Sequence, residues 1–281
     1  MKAITKYLVE LVDNTIDTDG GFMTFNGMKI YLPVDQEMDY KAVPQVGRVI
    51  DVPRTNRYKL EVGQLIIFHR FIFSNVVSKD VRYIEDFNPK VPSKFQVFAI
   101  ITDNGYKTLG AKLLVERETV ENKSKIIIPD NYKTSQNIAI VKHTSDEVEF
   151  EVGDKLGVVQ NNFLPLSVFG KDLVMVDSKF SVPYYWRNGE FRVSQDWVMI
   201  KADIDNSGYV EQSGLFVPSK RHKDRPIGTV YELPSVYNGS LSVGDKVYFE
   251  RHEFYSMEKD GEDYYFANEG RLDQVVAILK T

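Results

Sequence analysis

An all-β fold is expected for this chain on three observations. Short β-branched and aromatic runs recur along its whole length, and no stretch carries an apolar stripe at helical spacing over three turns. A phrase of Val, Gly and a polar residue also comes round three times, each time at the start of an alternating apolar strand. It reads Val62-Gly63-Gln64, Val152-Gly153-Asp154 and Val243-Gly244-Asp245, with the glycines about ninety residues apart. That period is too long for a solenoid unit and suits a small complete domain, so one fold is written three times.

The elements follow in the same order in each copy. The opening strands are Lys6 to Leu11, Lys112 to Glu116, and Asp196 to Lys201. A polar stretch with an apolar segment ending in proline comes next: Ile30-Tyr31-Leu32-Pro33, Ile126-Ile127-Ile128-Pro129, and Leu215-Phe216-Val217-Pro218, the last preceded by Gly214. Further strands follow at Gly47 to Ile50, Ile138 to Val141, and Gly228 to Tyr231. The Val-Gly strand comes after them. Its glycine permits a tight turn that a β-carbon would obstruct, and the following Gln64, Asp154 or Asp245 can cap that turn through its side chain. In the third copy Val247 and Phe249 alternate inward against Lys246 and Tyr248, as a barrel wall requires. Asn238-Gly239 and Asp260-Gly261 mark hairpin turns. Apolar strands close the copies at Phe95 to Ile101, Leu173 to Val176, and Val275 to Leu279. The expected domains are 1–103, 104–180 and 195–281, with residues 181–194 as a linker. Within that linker Val182 to Trp186 form an aromatic patch, suited either to a partner or to burial between the second and third domains.

This order resembles the GroES-like co-chaperonin fold, most closely over residues 195–281. The match runs through Trp197 to Ile200, Gly214 to Pro218, Gly228-Thr229-Val230, Val243 to Phe249 and Val275 to Leu279. The first copy departs from the pattern at Gln64, and the second lacks the glycine before valine and carries Leu156-Gly157 in its strand. The resemblance implies three tandem small β-barrels. It also implies that the apolar-Pro segments dock on a hydrophobic groove of a partner. Exposure of three large apolar side chains opposes such a loop by about 1.5–3 kcal/mol each, so every segment either docks or packs back on its own barrel. Packing back is the expectation for the first two copies, which lack a glycine directly before the segment. Both readings stand for the third.

Composition narrows the function. A net charge of −5 and a pI near 5.5 give no electrostatic case for nucleic acid. Cysteine is absent, so no disulfide or thiolate metal site exists. No apolar run approaches the ~20 residues that span a bilayer, and Met1 to Glu10 lacks a signal-peptide core. A soluble protein is expected, in a host cytoplasm or incorporated into a virion. Asp203 to Gly208 imitates the start of an EF-hand loop, but Gly214 stands where a bidentate Glu is needed. His69, His143, His222 and His252 show no ligand spacing, and Lys220 to Lys223 is a short solvated basic patch. No nucleophile motif or phosphate loop occurs, so neither catalysis nor a cofactor is expected. The expected function is that of a non-enzymatic structural protein making several protein contacts in a symmetric assembly, such as a capsid accessory, with homo-oligomerisation open. The alternative is a co-chaperonin capping a chaperonin chamber. Three unequal copies neither tile a seven-membered ring nor present equal contacts to its rim.

Overall fold

Alternation of apolar and polar residues between Gly-rich turns produces strands throughout. The computed structural model describes residues 5–12, 22–25, 28–31, 45–69, 72, 75–86, 96–119, 134–159, 162–169, 171–202, 209–212, 215–218, 227–249, 256–259, 262–268 and 275–279. The chain begins with β1 (Lys6–Leu11), β2 (Phe22–Phe25), β3 (Met28–Tyr31), β4 (Val46–Asp51), β5 (Leu65–Phe68), β6 (Val81–Glu85), β7 (Val97–Thr102) and β8 (Gly105–Thr108). There follow β9 (Lys112–Thr119), β10 (Thr134–His143), β11 (Lys155–Gly157), β12 (Leu164–Val168), β13 (Lys171–Asp177), the single turn α1 (Ser178–Ser181), β14 (Tyr184–Arg187) and β15 (Glu190–Val193). The last strands are β16 (Trp197–Ala202), β17 (Tyr209–Gln212), β18 (Leu215–Pro218), β19 (Ile227–Glu232), β20 (Lys246–Phe249), β21 (Ser256–Lys259), β22 (Glu262–Asn268) and β23 (Val275–Leu279).

Among the described residues three large antiparallel sheets form, ordered β6-β1-β4-β5-β7-β8, β12-β13-β9-β10-β11-β14-β15 and β21-β22-β16-β19-β20-β23, beside two two-stranded ones. Over five corresponding strands, β6-β1-β4-β5-β7 and β22-β16-β19-β20-β23, the first and third agree in register as well as in order. Leu11↔Gly47 corresponds to Ala202↔Gly228, with a bulge in the same place, between Leu8 and Val9 and between Met199 and Ile200. Gly47↔Ile66 corresponds to Gly228↔Val247. A second bulge recurs between Ile67 and Phe68 and between Tyr248 and Phe249. A bulge inserts one residue and bends the strand, so its recurrence marks one shared backbone design.

The second sheet departs from expectation at its end. The strand beside β11 is β14, paired as Lys155↔Trp186 and Gly157↔Tyr184, not the segment Leu173 to Val176. That segment belongs to β13, in the place that β6 and β22 hold in the other sheets. Residues 181–194 are therefore no linker, since β14 and β15 continue the sheet through an Asn188-Gly189 turn, both residues at positive φ. Asn238-Gly239 lies in the longer connection between β19 and β20, whereas Asp260-Gly261 lies outside the described residues.

Two compact units divide the chain, one of residues 1–116, 142–148 and 164–175, the other of the remainder. In the first, β5 sends Ile66 and Phe68 into a core with Tyr7, Val9, Val49, Leu60 and Val97. Ile67 enters the opposite core with Phe98, Leu114, Leu166, Val168 and Met175, so β12 and β13 cover that face. In the second unit Val247 and Phe249 are buried with Val198, Ile200, Val230 and Tyr265, as their alternation requires. The other face holds Trp197, Met199, Tyr264 and Phe266, covered by Tyr184 and Val193 of β14 and β15. Among the described residues no helix is long and apolar enough to cross a membrane.

Candidate interaction surfaces

The threefold phrase folds into one turn built three times. Gln64, Asp154 and Asp245 donate their N–H to the carbonyls of Glu61, Glu151 and Ser242 at 3.2, 3.1 and 3.0 Å. The intervening glycines have φ of +94°, +97° and +95°, as the third position of a type II turn demands. Each polar side chain closes the turn by accepting from the first residue's N–H, at 2.9 Å for Gln64, 2.9 Å for Asp154 and 2.8 Å for Asp245. Val62, Val152 and Val243 stand at the apex of these turns, 63%, 66% and 63% exposed.

Of the apolar-Pro segments, Ile30 and Tyr31 of the first copy and Leu215 to Pro218 of the third lie on strands. Each forms a two-stranded sheet of its own. Met23↔Ile30 and Phe22↔Tyr31 pair in the first, and Glu211↔Phe216, Val210↔Val217 and Tyr209↔Pro218 in the third. By register, positions 23, 25, 28 and 30 share one face of the first hairpin, and positions 210, 212, 215 and 217 one face of the other. Sequence reasoning missed both hairpins, although the dipeptides Asn26-Gly27 and Ser213-Gly214 are turn signals in the sequence. Ile30, Tyr31 and Leu215 to Pro218 thus lie on these hairpins, whereas Leu32, Ile126, Ile127, Ile128 and Gly214 lie outside the described residues, as do Asp203 to Gly208, Lys220 to Lys223, His222 and His252.

The aromatic segment 182–186 is core. Val182, Tyr184 and Tyr185 are buried, and Tyr184 stacks on Phe266 at 4.9 Å and on Phe191 at 5.5 Å. Next to it Arg187 grips the buried Asp154, donating Nε to Oδ1 at 3.0 Å and an Nη to Oδ2 at 2.7 Å, and donates to the Glu149 carbonyl at 2.7 Å. The Glu149 carboxylate accepts from the Gln195 N–H at 2.6 Å and the Tyr185 hydroxyl at 3.3 Å. Burial still raises Glu149 above the ordinary 4.5, assisted by Asp196 and opposed by those hydrogen bonds and Arg187. A carboxyl raised by folding stabilises fully below its unfolded value and loses that contribution as pH rises through its folded one. The stability advantage of the native chain over Glu149→Gln should therefore be largest below pH 4.5 and shrink towards neutrality, measured by urea unfolding across that range. A constant difference would refute this account.

Asp86 gathers the Tyr7 hydroxyl at 3.0 Å, the Arg57 N–H at 2.9 Å and the Thr55 hydroxyl, which fixes the connection between β4 and β5. His69 and His143 stand edge-on to Phe98 and Tyr106 at 5.6 and 5.2 Å. Among the described residues no group of His, Asp and Glu is placed to hold a metal. Comparison of the chain with protein-family models and with curated proteins finds no match.

Proposed function

We propose that the chain is a non-enzymatic structural protein whose three GroES-like barrels make several protein contacts at once in a large symmetric assembly, such as an accessory protein on a viral capsid. The observation that carries this reading is the equivalence of the first and third sheets. They share strand order, register and two bulges, and each bears a separate hairpin after its first strand. A chain that presents one device repeatedly suits a partner whose surface also repeats, because a second contact forms at high effective concentration once the first is made. The hairpins differ in sequence, which suits unequal contacts better than a symmetric lid. The resemblance of Gly214 to Pro218 to a chaperonin-docking loop favours the co-chaperonin alternative.

A photo-crosslinking residue placed at position 30 or 216 of the full chain, in the cells that make it, separates the two. Crosslinks to a repeated subunit of a co-sedimenting assembly are expected, together with about tenfold lower incorporation of Ile30→Asp or Phe216→Asp at unchanged melting temperature. Crosslinks to a chaperonin would establish the lid, and crosslinks only within the chain would overturn both.

A further inference from the structure

The connection that leads into the Val-Gly turn has one length in the first and third copies. Asp51 and Glu232 hold the same register position, as do Leu65 and Lys246, so residues 52–64 correspond one to one with 233–245. Pro53 matches Pro234, and Leu60 matches Leu241, each leucine in the core of its own sheet. A cap recurs as well. The Leu60 N–H donates to Asn56 Oδ1 at 2.9 Å, and the Leu241 N–H donates at 3.3 Å to the hydroxyl of Tyr237, which holds the place of Asn56.

The filling of the two connections differs. In the first copy Tyr58 is buried, its ring 5.4 Å from that of Tyr7, and its hydroxyl accepts from the Gln96 N–H at 2.9 Å. The register puts Gly239 in the place of Tyr58 and Val198 in the place of Tyr7, so the third copy supplies neither ring. A cleft of about 250 Å³ opens beside Gly239 instead, lined by Gln195, Asp196, Val236, Tyr237, Asn238 and Gly239. A cavity of about 150 Å³ already holds a benzene ring, so this one has room for a side chain of the size of Tyr58. Val236 and Tyr237 bring apolar surface to the lining, and Asp196 brings charge. Val236, Asn238 and Gly239 are exposed, which leaves the cleft open to a side chain carried by another molecule. We infer that this cleft is a socket for a tyrosine side chain presented by another protein, its ring taking the place that Tyr58 fills in the first copy and its hydroxyl donating to the Asp196 carboxylate. A buried phenol needs such an acceptor, which a phenylalanine would leave unused. The socket involves no residue of either hairpin and goes beyond the contacts proposed for them.

The test is an NMR titration of the isotope-labelled full chain with N-acetyl-tyrosinamide and with its phenylalanine and arginine counterparts. The tyrosine compound should shift the backbone amides of 195–196 and 236–239 saturably, with a Kd in the millimolar range. The phenylalanine compound on the native chain, and the tyrosine compound on Asp196→Leu, should each bind about tenfold more weakly through loss of one hydrogen bond to a charged acceptor. Neither Tyr58 nor Gly239 takes a positive φ, so Gly239→Tyr restores the residue of the first copy without backbone strain. That variant should melt no lower than the native chain and show no shift. The socket is overturned if the tyrosine compound gives no saturable shift up to its solubility, if the phenylalanine or arginine compound binds as tightly, or if folded Gly239→Tyr binds it unchanged. Should Gly239→Tyr fail to fold, undiminished binding to Asp196→Leu alone overturns it.

Discussion

Replacement of Arg187 by leucine should destabilise the protein by about 3–5 kcal/mol, because it strands a buried charge. Arg187 and Asp154 form a two-pronged pair at 3.0 and 2.7 Å, with side chains 18% and 3% exposed. Asp154 meanwhile caps the second Val-Gly turn through the Glu151 N–H, so it cannot swing out to water without opening the turn. Without the guanidinium, one backbone donor remains to offset the removal of a carboxylate from solvent. The first copy avoids the problem with chemistry of its own. There the neutral Gln64 caps the same turn at 2.9 Å, and Thr102 holds the place of Arg187. The double variant Arg187→Leu, Asp154→Gln should therefore return to within about 1 kcal/mol of the native chain, a coupling read directly by a double-mutant cycle in urea. Equal instability of the single and double variants would show that Arg187 acts through packing on Tyr185 and not through charge.

That comparison also shows what was legible in the chain. The turn was, because a type II turn imposes a glycine at one position and a capping side chain at the next, and both are visible in three copies. The strands of the third copy were likewise visible, since β19 and β20 alternate one buried face and β16 and β23 carry apolar runs. The closing strand of the second copy was not. Leu173 to Val176 has the right composition and spacing, but composition does not reveal which neighbour a strand pairs with, and β13 pairs at the opposite side of the sheet. Tyr184 to Trp186 follow a proline and a single helical turn, so they read as a connection, although Tyr184 is buried against Phe266 and Tyr185 against Phe150. The apolar-Pro segments read as loop tips because their partners, Phe22 to Phe25 and Tyr209 to Gln212, are only four residues long.

The departure of the second copy at its glycine has a packing cause, and with it the other large expected effect. Gly47 and Gly228 face Phe68 and Phe249, and a β-carbon at Gly228 would lie 2.5 Å from Ile200 Cγ2, 2.8 Å from the Lys201 carbonyl oxygen and 2.9 Å from the Phe249 ring. Gly228→Ala should accordingly cost about 3 kcal/mol, the upper range of overpacking, because one of the obstructing atoms is backbone. In the second sheet the register puts Ala139 at this position and Val158 in the place of the phenylalanine, so a larger wall residue meets a smaller core residue. Gly157 of the same strand takes over the close approach, with Tyr184 Cε2 2.1 Å from where its β-carbon would stand. The two substitutions Gly228→Ala and Phe249→Val, each destabilising alone, should combine to less than their sum by about 1 kcal/mol. Strict additivity in a denaturation cycle would mean that the Lys201 carbonyl, and not the Phe249 ring, sets the limit on residue 228. In that case the glycine is required by the approach of β16 to β19.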